Sequence, residues 1–403
     1  MEENLITASI SKMVNAGSLA GAATLVWQDG KVLQAAGAGW RNLERKLPVE
    51  RDTLFRIASM TKPITSTAAL MLFEEGRFAL NDPITRWAPE FLHMRVLRSS
   101  SGALDQTDPA ERPITFEDLL THRSGLTYGD WHSGPLAQAF QEALGGGIDS
   151  DVLPDDWIAR LAALPLIDQP GTAFHYGHST DLLGFLIARM EDAPLGDVLK
   201  RRIFDPLGMN DTGFTVPFEK RQRRAEPHGF DEAGDLCVRH TGPGNSFLPE
   251  RPEAMAYVSG GQGLWSTVDD YLTFARMFLN EGAVNDVQLL QPATFTRMVT
   301  NCLSENQRVR AGSLLNDGHG FGLGVAMVLD PLKAGPMPCG GGVGAVGWPG
   351  AFGGWWRADP NNNSVLIFLA HNMVELEQLL DGIGLGVYDA ITQFQAQASS
   401  LLR

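Results

Sequence analysis

Arg56-Ile57-Ala58-Ser59-Met60-Thr61-Lys62-Pro63-Ile64-Thr65 sets a serine three residues ahead of a lysine, at the head of an apolar run, ITSTAALMLFEEG, that closes on Gly76. The run is rich in helix formers and the glycine stands where helices end, so the stretch predicts a buried helix of about four turns. Residues three apart share a helix face, and a neutral lysine amine placed there can accept the proton of the serine hydroxyl. The alternative is that Ser59 caps the helix and Lys62 is a solvated first-turn residue. Spacing does not choose between them, because Ser9-Ile10-Ser11-Lys12 has the same pattern. Context favours the nucleophile: Lys62 is one of only seven lysines, and its charge would oppose the helix dipole, which disfavours the protonated form.

The rest of the chain limits what such a serine can serve. With 403 residues, 44% hydrophobic and 20% charged, it has the length of two domains or of one domain with a large insertion. Acidic residues outnumber basic ones, 47 to 32, with no basic run, so a phosphate backbone is repelled and nucleic acid is excluded as a partner. Cys237, Cys302 and Cys339 are an odd, scattered set that fits neither a disulfide framework nor zinc-ligand spacing. The amino terminus, MEENLITASISKMV, opens with acids and reads as an amphipathic helix with Leu5, Ile6, Ile10, Met13 and Val14 on related faces, rather than as a signal peptide. No run is long and apolar enough to span a bilayer. The expectation is a cytoplasmic protein with no membrane partner; its oligomeric state is not readable.

Ala22 to Trp27 and Lys31 to Ala35 flank Gln28-Asp29-Gly30, a turn signal between two β-prone runs, so a hairpin is expected. From residue 81 to 250, helical patterns such as TFEDLLTH and STDLLGFLIARMED alternate with Pro- and Gly-rich loops, the signature of a mostly helical insertion. Strand-like runs return in FGLGVAMVLD, AFGGWWRADP and NSVLIFLAHN, before a closing helix expected from about Leu376 to Leu402. The expected architecture is therefore an α/β domain of the α+β type, with an antiparallel sheet flanked by helices built from 1–80 and 251–403, and a helical domain inserted at 81–250. There are no internal repeats, and Gly340 to Gly344 reads as a loop.

Two later stretches complete a pattern. Gln169-Pro170-Gly171-Thr172-Ala173-Phe174-His175-Tyr176-Gly177-His178 places Tyr176 in a loop just before a helix, and Val346-Gly347-Trp348-Pro349-Gly350-Ala351-Phe352-Gly353-Gly354 puts small residues where backbone must approach something closely. With the S-x-x-K helix, the Leu119 to Leu126 segment LLTHRSGL and Gly260-Gly261-Gln262-Gly263-Leu264, these resemble the serine β-lactamase and penicillin-binding-protein superfamily. Within it they are most similar to class C β-lactamases and the family VIII carboxylesterases. The resemblance runs over nearly the whole chain and implies a β-lactamase/transpeptidase-like fold. Carried over residue by residue, it makes Ser59 the nucleophile and Lys62 with Tyr176 the pair that moves protons. It also forms the oxyanion hole from the backbone N–H groups of Ser59 and Ala351.

Two departures bear on the substrate. Where β-lactamases carry Lys-Thr-Gly on the edge strand, this chain has Trp348-Pro349-Gly350, so the cation and hydroxyl that help hold a β-lactam carboxylate are gone and an uncharged ester becomes the expected ligand. Two residues after the tyrosine stands His178 instead of asparagine; it could stabilise ionised Tyr176, contact substrate, or bond to backbone as a helix-cap-region histidine. Trp348, Gly350, His178 and Tyr128 are the candidate substrate contacts. Phe352, Trp355 and Trp356 read rather as packing a strand on both faces, and Trp131 as one of the aromatics that could line an acyl pocket. His175 and His178 form an H-x-x-H without a third ligand nearby, so no metal and no cofactor are expected; His122 reads as structural. The G-x-S-x-G signature of α/β-hydrolases is absent. The expected function is a serine carboxylesterase for short-chain esters. The rivals are an acyltransferase on the same scaffold, a β-lactamase or D-amino-acid peptidase, and a non-catalytic binding or self-assembling protein.

Overall fold

Asp29 and Gly30 both take positive φ, 49° and 83°, the pair of left-handed residues that a type I′ turn requires. They join β1 (Gly21–Gln28) to β2 (Lys31–Asn42) as the expected antiparallel hairpin. The computed structural model describes residues 3–145, 150, 152–239, 257–374 and 376–403. On its other edge β1 pairs antiparallel with Ser364–Ala370, in a register that sets Ala22 opposite Ala370 and Gln28 opposite Ser364. The sheet has eight strands, ordered His319–Phe321, Ala326–Val328, Val346–Gly347, Trp355–Asp359, Ser364–Ala370, β1, β2 and β3 (Leu47–Pro48). Its centre is thus made by chain segments from both ends.

Every residue of β1 and of Ser364–Ala370 is buried, so these strands are apolar except at Thr24, Gln28 and Ser364, and the pleat sorts their side chains between two cores. Ala22, Val26, Leu366, Phe368 and Trp355 meet α1 (Glu3–Asn15) and the final helix, Leu385–Leu401, on one face. Ala23, Leu25, Ile367, Leu369 and Trp356 share the other core with α2 (Thr61–Glu74). Trp355 and Trp356 do pack a strand on both faces.

Two details differ from expectation. Leu5 is 56% exposed whereas Ile6 and Ile10 are buried, because Leu5 lies about 100° round the helix from that stripe. The closing helix is broken: Leu376–Leu380 stops, Gly382 and Gly384 take φ of 82° and 81°, and the chain restarts at Leu385. Left-handed backbone ends a helix.

Between the two groups of strands, Phe116–Leu120, Gly134–Leu144, Pro154–Ala162, Ser179–Glu191 and Leu195–Leu199 are helices, with small hairpins at Arg95–Leu97/Thr107–Pro109 and His228–Phe230/Leu236–Val238. A capping box, Thr115 with Asp118, starts the first of these helices. The second hairpin reaches back to the sheet: His228 N–H donates to the carbonyl of His371, the residue after strand Ser364–Ala370. The expected boundary at 250/251 lies outside the described residues. Helix Ser179–Glu191 packs on α2, with Leu182 and Leu186 in the core that holds Ile64 and Ala68. This contact sets the Tyr176 loop beside the head of α2. No helix among the described residues is long and apolar enough to cross a membrane.

Candidate active site

Ser59 stands in a 3-10 turn, Ala58–Met60, that leads into α2. Ala58 takes φ of 44°, a left-handed conformation that costs an alanine about 1–2 kcal/mol. The N-cap of α2 is Met60, and no side chain caps it. Ser59 is therefore not a cap: Lys62 Nζ lies 3.2 Å from its Oγ.

Lys62 is 1% exposed. Besides Ser59, its Nζ donates to the Tyr128 hydroxyl at 3.1 Å and to the Gly261 carbonyl at 3.0 Å, and it lies 4.5 Å from the centroid of the Tyr176 ring. Burial drives its pKa from 10.5 down to about 7, against an opposing pull from the Asp181 charge. A neutral amine here can donate one N–H to Gly261 and one to Tyr128, which leaves its lone pair for the Ser59 proton. Gly261 is held in turn by Asp181, whose Oδ1 accepts its N–H at 3.0 Å, while Thr65 Oγ1 donates to the Gly260 carbonyl at 2.6 Å. A Cβ on Gly261 would stand 2.9 Å from that Asp181 oxygen, so the close approach needs glycine.

The Tyr176 hydroxyl accepts from the Trp348 indole N–H at 2.9 Å. Burial raises its pKa, and the neighbouring Ser59 and Trp348 oppose the rise only in part; it stays a neutral phenol. Tyr128 is likewise held well above the usual phenol range by burial. The chain running on from strand Val346–Gly347, which lies between Ala326–Val328 and Trp355–Asp359 and not at the edge of the sheet, comes through Trp348 against the serine turn at Gly350, where a Cβ would lie 2.4 Å from the Ile57 carbonyl oxygen. Gly350 N–H donates to Gly354 O at 2.7 Å, and Ala351 is exposed in the turn between them.

The fold thus brings together Ser59, Lys62, Tyr176, Tyr128 and Trp348, and lays Gly350 against the turn that carries the serine. His178 is turned elsewhere. It is 5% exposed, its Nδ1 lies 3.0 Å from Asp181 Oδ2, and its ring stacks on Phe140 with edges toward Tyr128 and Trp157. His175 bonds Asp168 at 3.2 Å. His122 is fully buried 4.8 Å from the Tyr176 ring, and burial pushes its pKa well below the usual range. Among the described residues no group of three His, Cys, Asp or Glu could hold a metal.

Sequence reasoning missed Asp181, Ser259 and the Gly261 carbonyl. The available signal was an acid inside the apolar run STDLLGFLIARM, three residues after His178, a place where a carboxylate stays only if it has partners. Trp131, expected only as one of several aromatics, is 45% exposed with its ring 5.4 Å from that of Tyr176 and 6.2 Å from that of Tyr128, at the rim of the site.

A family model described as Beta-lactamase matches residues 6–383. Protein Rv1367c of Mycobacterium tuberculosis (strain ATCC 25618 / H37Rv) is 45% identical over 372 residues, covering 92% of this chain and 90% of that one. Esterase EstB of Burkholderia gladioli is 31% identical over 353 residues, 85% of this chain and 83% of its own. Among solved structures, EstCE1, described as a hydrolase with promiscuous acyltransferase activity, superposes with a TM-score of 0.78 at 26% identity, covering 97% of this chain and 98% of that one.

Proposed function

The chain belongs to the beta-lactamase family and is a serine hydrolase with the β-lactamase/transpeptidase-like fold, and from that premise we propose that it hydrolyses short-chain carboxylic esters through an acyl-enzyme on Ser59. The observation that carries the reading is the setting of Lys62: a buried amine with pKa about 7, bonded to the serine oxygen and to two further acceptors. A base is most useful when its pKa lies near the working pH.

In the proposed cycle Ser59 Oγ attacks the ester carbonyl while Lys62 takes its proton. The backbone N–H groups of Ser59 and Ala351 receive the negative charge that grows on the carbonyl oxygen; a donor of this kind is worth about 10²- to 10³-fold in turnover. Tyr176, kept neutral by burial, is placed to hand a proton to the departing alcohol, and the Lys62 ammonium beside its ring then returns to it the proton taken from Ser59. Water then attacks the acyl-enzyme by the same route in reverse. The substrate class follows from Trp348: an indole N–H, not an ammonium, reaches the tyrosine from the segment after strand Val346–Gly347, which suits an uncharged acyl group better than a carboxylate. The relative EstB is named an esterase. Transfer of the acyl group to an alcohol in place of water is the second reading, favoured by the description of EstCE1; product analysis with added alcohols separates the two. The proposed location is the cytoplasm, which the three free thiols support and cell fractionation tests.

The test of the chemistry is intact-mass spectrometry after exposure to a short p-nitrophenyl ester and to a fluorophosphonate, with the adduct mapped by digestion. The expected result is p-nitrophenol release and an adduct on Ser59. Folded protein that takes no label sinks the mechanism and returns the chain to the binding-protein reading.

A further inference from the structure

Asp181 is a fully buried carboxylate in the first turn of helix Ser179–Glu191, and the proposed cycle does not use it directly. Its oxygens are occupied on two sides. Oδ2 faces His178 Nδ1, and Oδ1 accepts from the Ser259 hydroxyl and from the Gly261 N–H. The same Gly261 residue presents its carbonyl to Lys62. One residue therefore joins the carboxylate to the amine: it donates backward to Asp181 and accepts forward from Lys62.

We propose that Asp181 is a positioning residue for acyl transfer at Ser59: through Gly261 it aims the Lys62 amine at the serine oxygen, and it supplies the buried anion against which that amine is held. The proposal rests on the reading of Ser59 and Lys62 given above.

Three observations support it. Oxygen atoms of a buried acid need donors, and Asp181 takes them from three separate chain positions, at 178, 259 and 261, so that its loss frees all three. His178 cannot swing out to meet a substrate, because Phe140, Tyr128 and Trp157 enclose its ring; its buried nitrogen serves Asp181. Finally, burial alone would raise the Asp181 pKa, yet His178, Lys62 and Ser259 bring it below the usual carboxylate range, so the group faces Lys62 as an anion. The other titratable groups around this pair are His122, Tyr128, Tyr176 and, further out, Asp130 and Tyr257. The imidazole of His122 and the phenols of Tyr128 and Tyr176 are neutral by burial. Asp130 and Tyr257 act on Tyr128.

An anion near an amine favours the ammonium, so removing it lowers the pH at which Lys62 becomes a base. Asp181→Asn keeps the shape and the acceptor toward Gly261 while deleting the charge. The pH dependence of Ser59 labelling by a fluorophosphonate should then shift its acid limb to lower pH by about one unit. His178→Phe keeps the aromatic stack but removes the donor that offsets Asp181, and should move the same limb upward. Asp181→Ala, which also abandons the Gly261 N–H, should lower the plateau rate by about 10²-fold, the scale of a misplaced catalytic group. Opposite shifts in Asp181→Asn and His178→Phe support the proposal; absent or same-direction shifts in folded variants overturn it. Should Asp181→Asn fail to fold, His178→Phe decides alone, an upward shift supporting and any other result overturning. Failure of the parent protein to label at Ser59 would instead overturn the underlying reading, so the two failures are distinguishable.

Discussion

Two copies of the Ser-x-x-Lys tetrad lie in this chain and end in opposite surroundings. Ser9 and Lys12 stand on α1, where Ser9 Oγ donates to Gln393 of the final helix at 2.8 Å and Lys12 is exposed to water. Ser59 and Lys62 stand at the head of α2, with the lysine 1% exposed and its amine ringed by three oxygen atoms. The spacing is identical, so spacing is not what makes a base. What differs is removal from water, which disfavours the ammonium, together with fixed acceptors that direct the remaining N–H bonds.

The comparison can be broken most sharply at the serines. Ser59→Ala should reduce ester turnover on the order of 10⁵-fold with folding retained, whereas Ser9→Ala should be silent in the same assay. Comparable losses in both, or in neither, would remove the distinction. At the lysines, Lys62→Arg replaces an amine that can be neutral by a guanidinium that cannot, and kcat/KM should fall by about 10³-fold; Lys12→Arg should match the parent.

Stability sharpens the contrast in the other direction. Lys62 has a folded pKa of about 7 against 10.5 unfolded, so the unfolded state binds the extra proton between those values. This group's penalty is full below pH 7, shrinks as pH rises through the window, and vanishes above it. Lys62→Met should thus raise stability by about 1–4 kcal/mol at about pH 6, with the gain narrowing by about pH 10. Parallel thermal-melting curves at the two pH values would contradict the assigned burial. The smallest expected effect is at Trp348→Phe, which deletes a donor to Tyr176. A net loss of about 1 kcal/mol corresponds to roughly fivefold in kcat/KM, and an unchanged value would detach Trp348 from the reaction.

What was legible in the sequence is what is local. The Asp29-Gly30 turn follows from backbone preferences at two adjacent positions, and the continuous apolar run at 365–370 follows from a strand covered on both faces. Ser59 and Lys62 share one helical turn, so their meeting could be read from their spacing and its context. Asp181 and Gly261 are a different case: their bond joins residues 80 apart in sequence, and no periodicity announces it. His178 illustrates the same limit, since its neighbour Tyr176 suggested a role at the site whereas the fold turns it to Asp181. The break at Gly382 and Gly384 was visible as glycine, but an apolar pattern on both sides carried the expected helix across it.

The central pairing of the sheet also has a cost in time. β1 finds β2 as soon as the hairpin is made, but the strand that covers its other edge is Ser364–Ala370, which a ribosome adding about 5–20 residues per second delivers tens of seconds later. Through that interval a wholly buried strand of the finished fold presents an unpaired edge, the arrangement that invites association with other chains. Contacts so distant in sequence also slow the closing step once synthesis ends. Substitutions that expose this edge for longer should therefore lower the yield of folded enzyme in cells without altering the activity of the molecules that do fold.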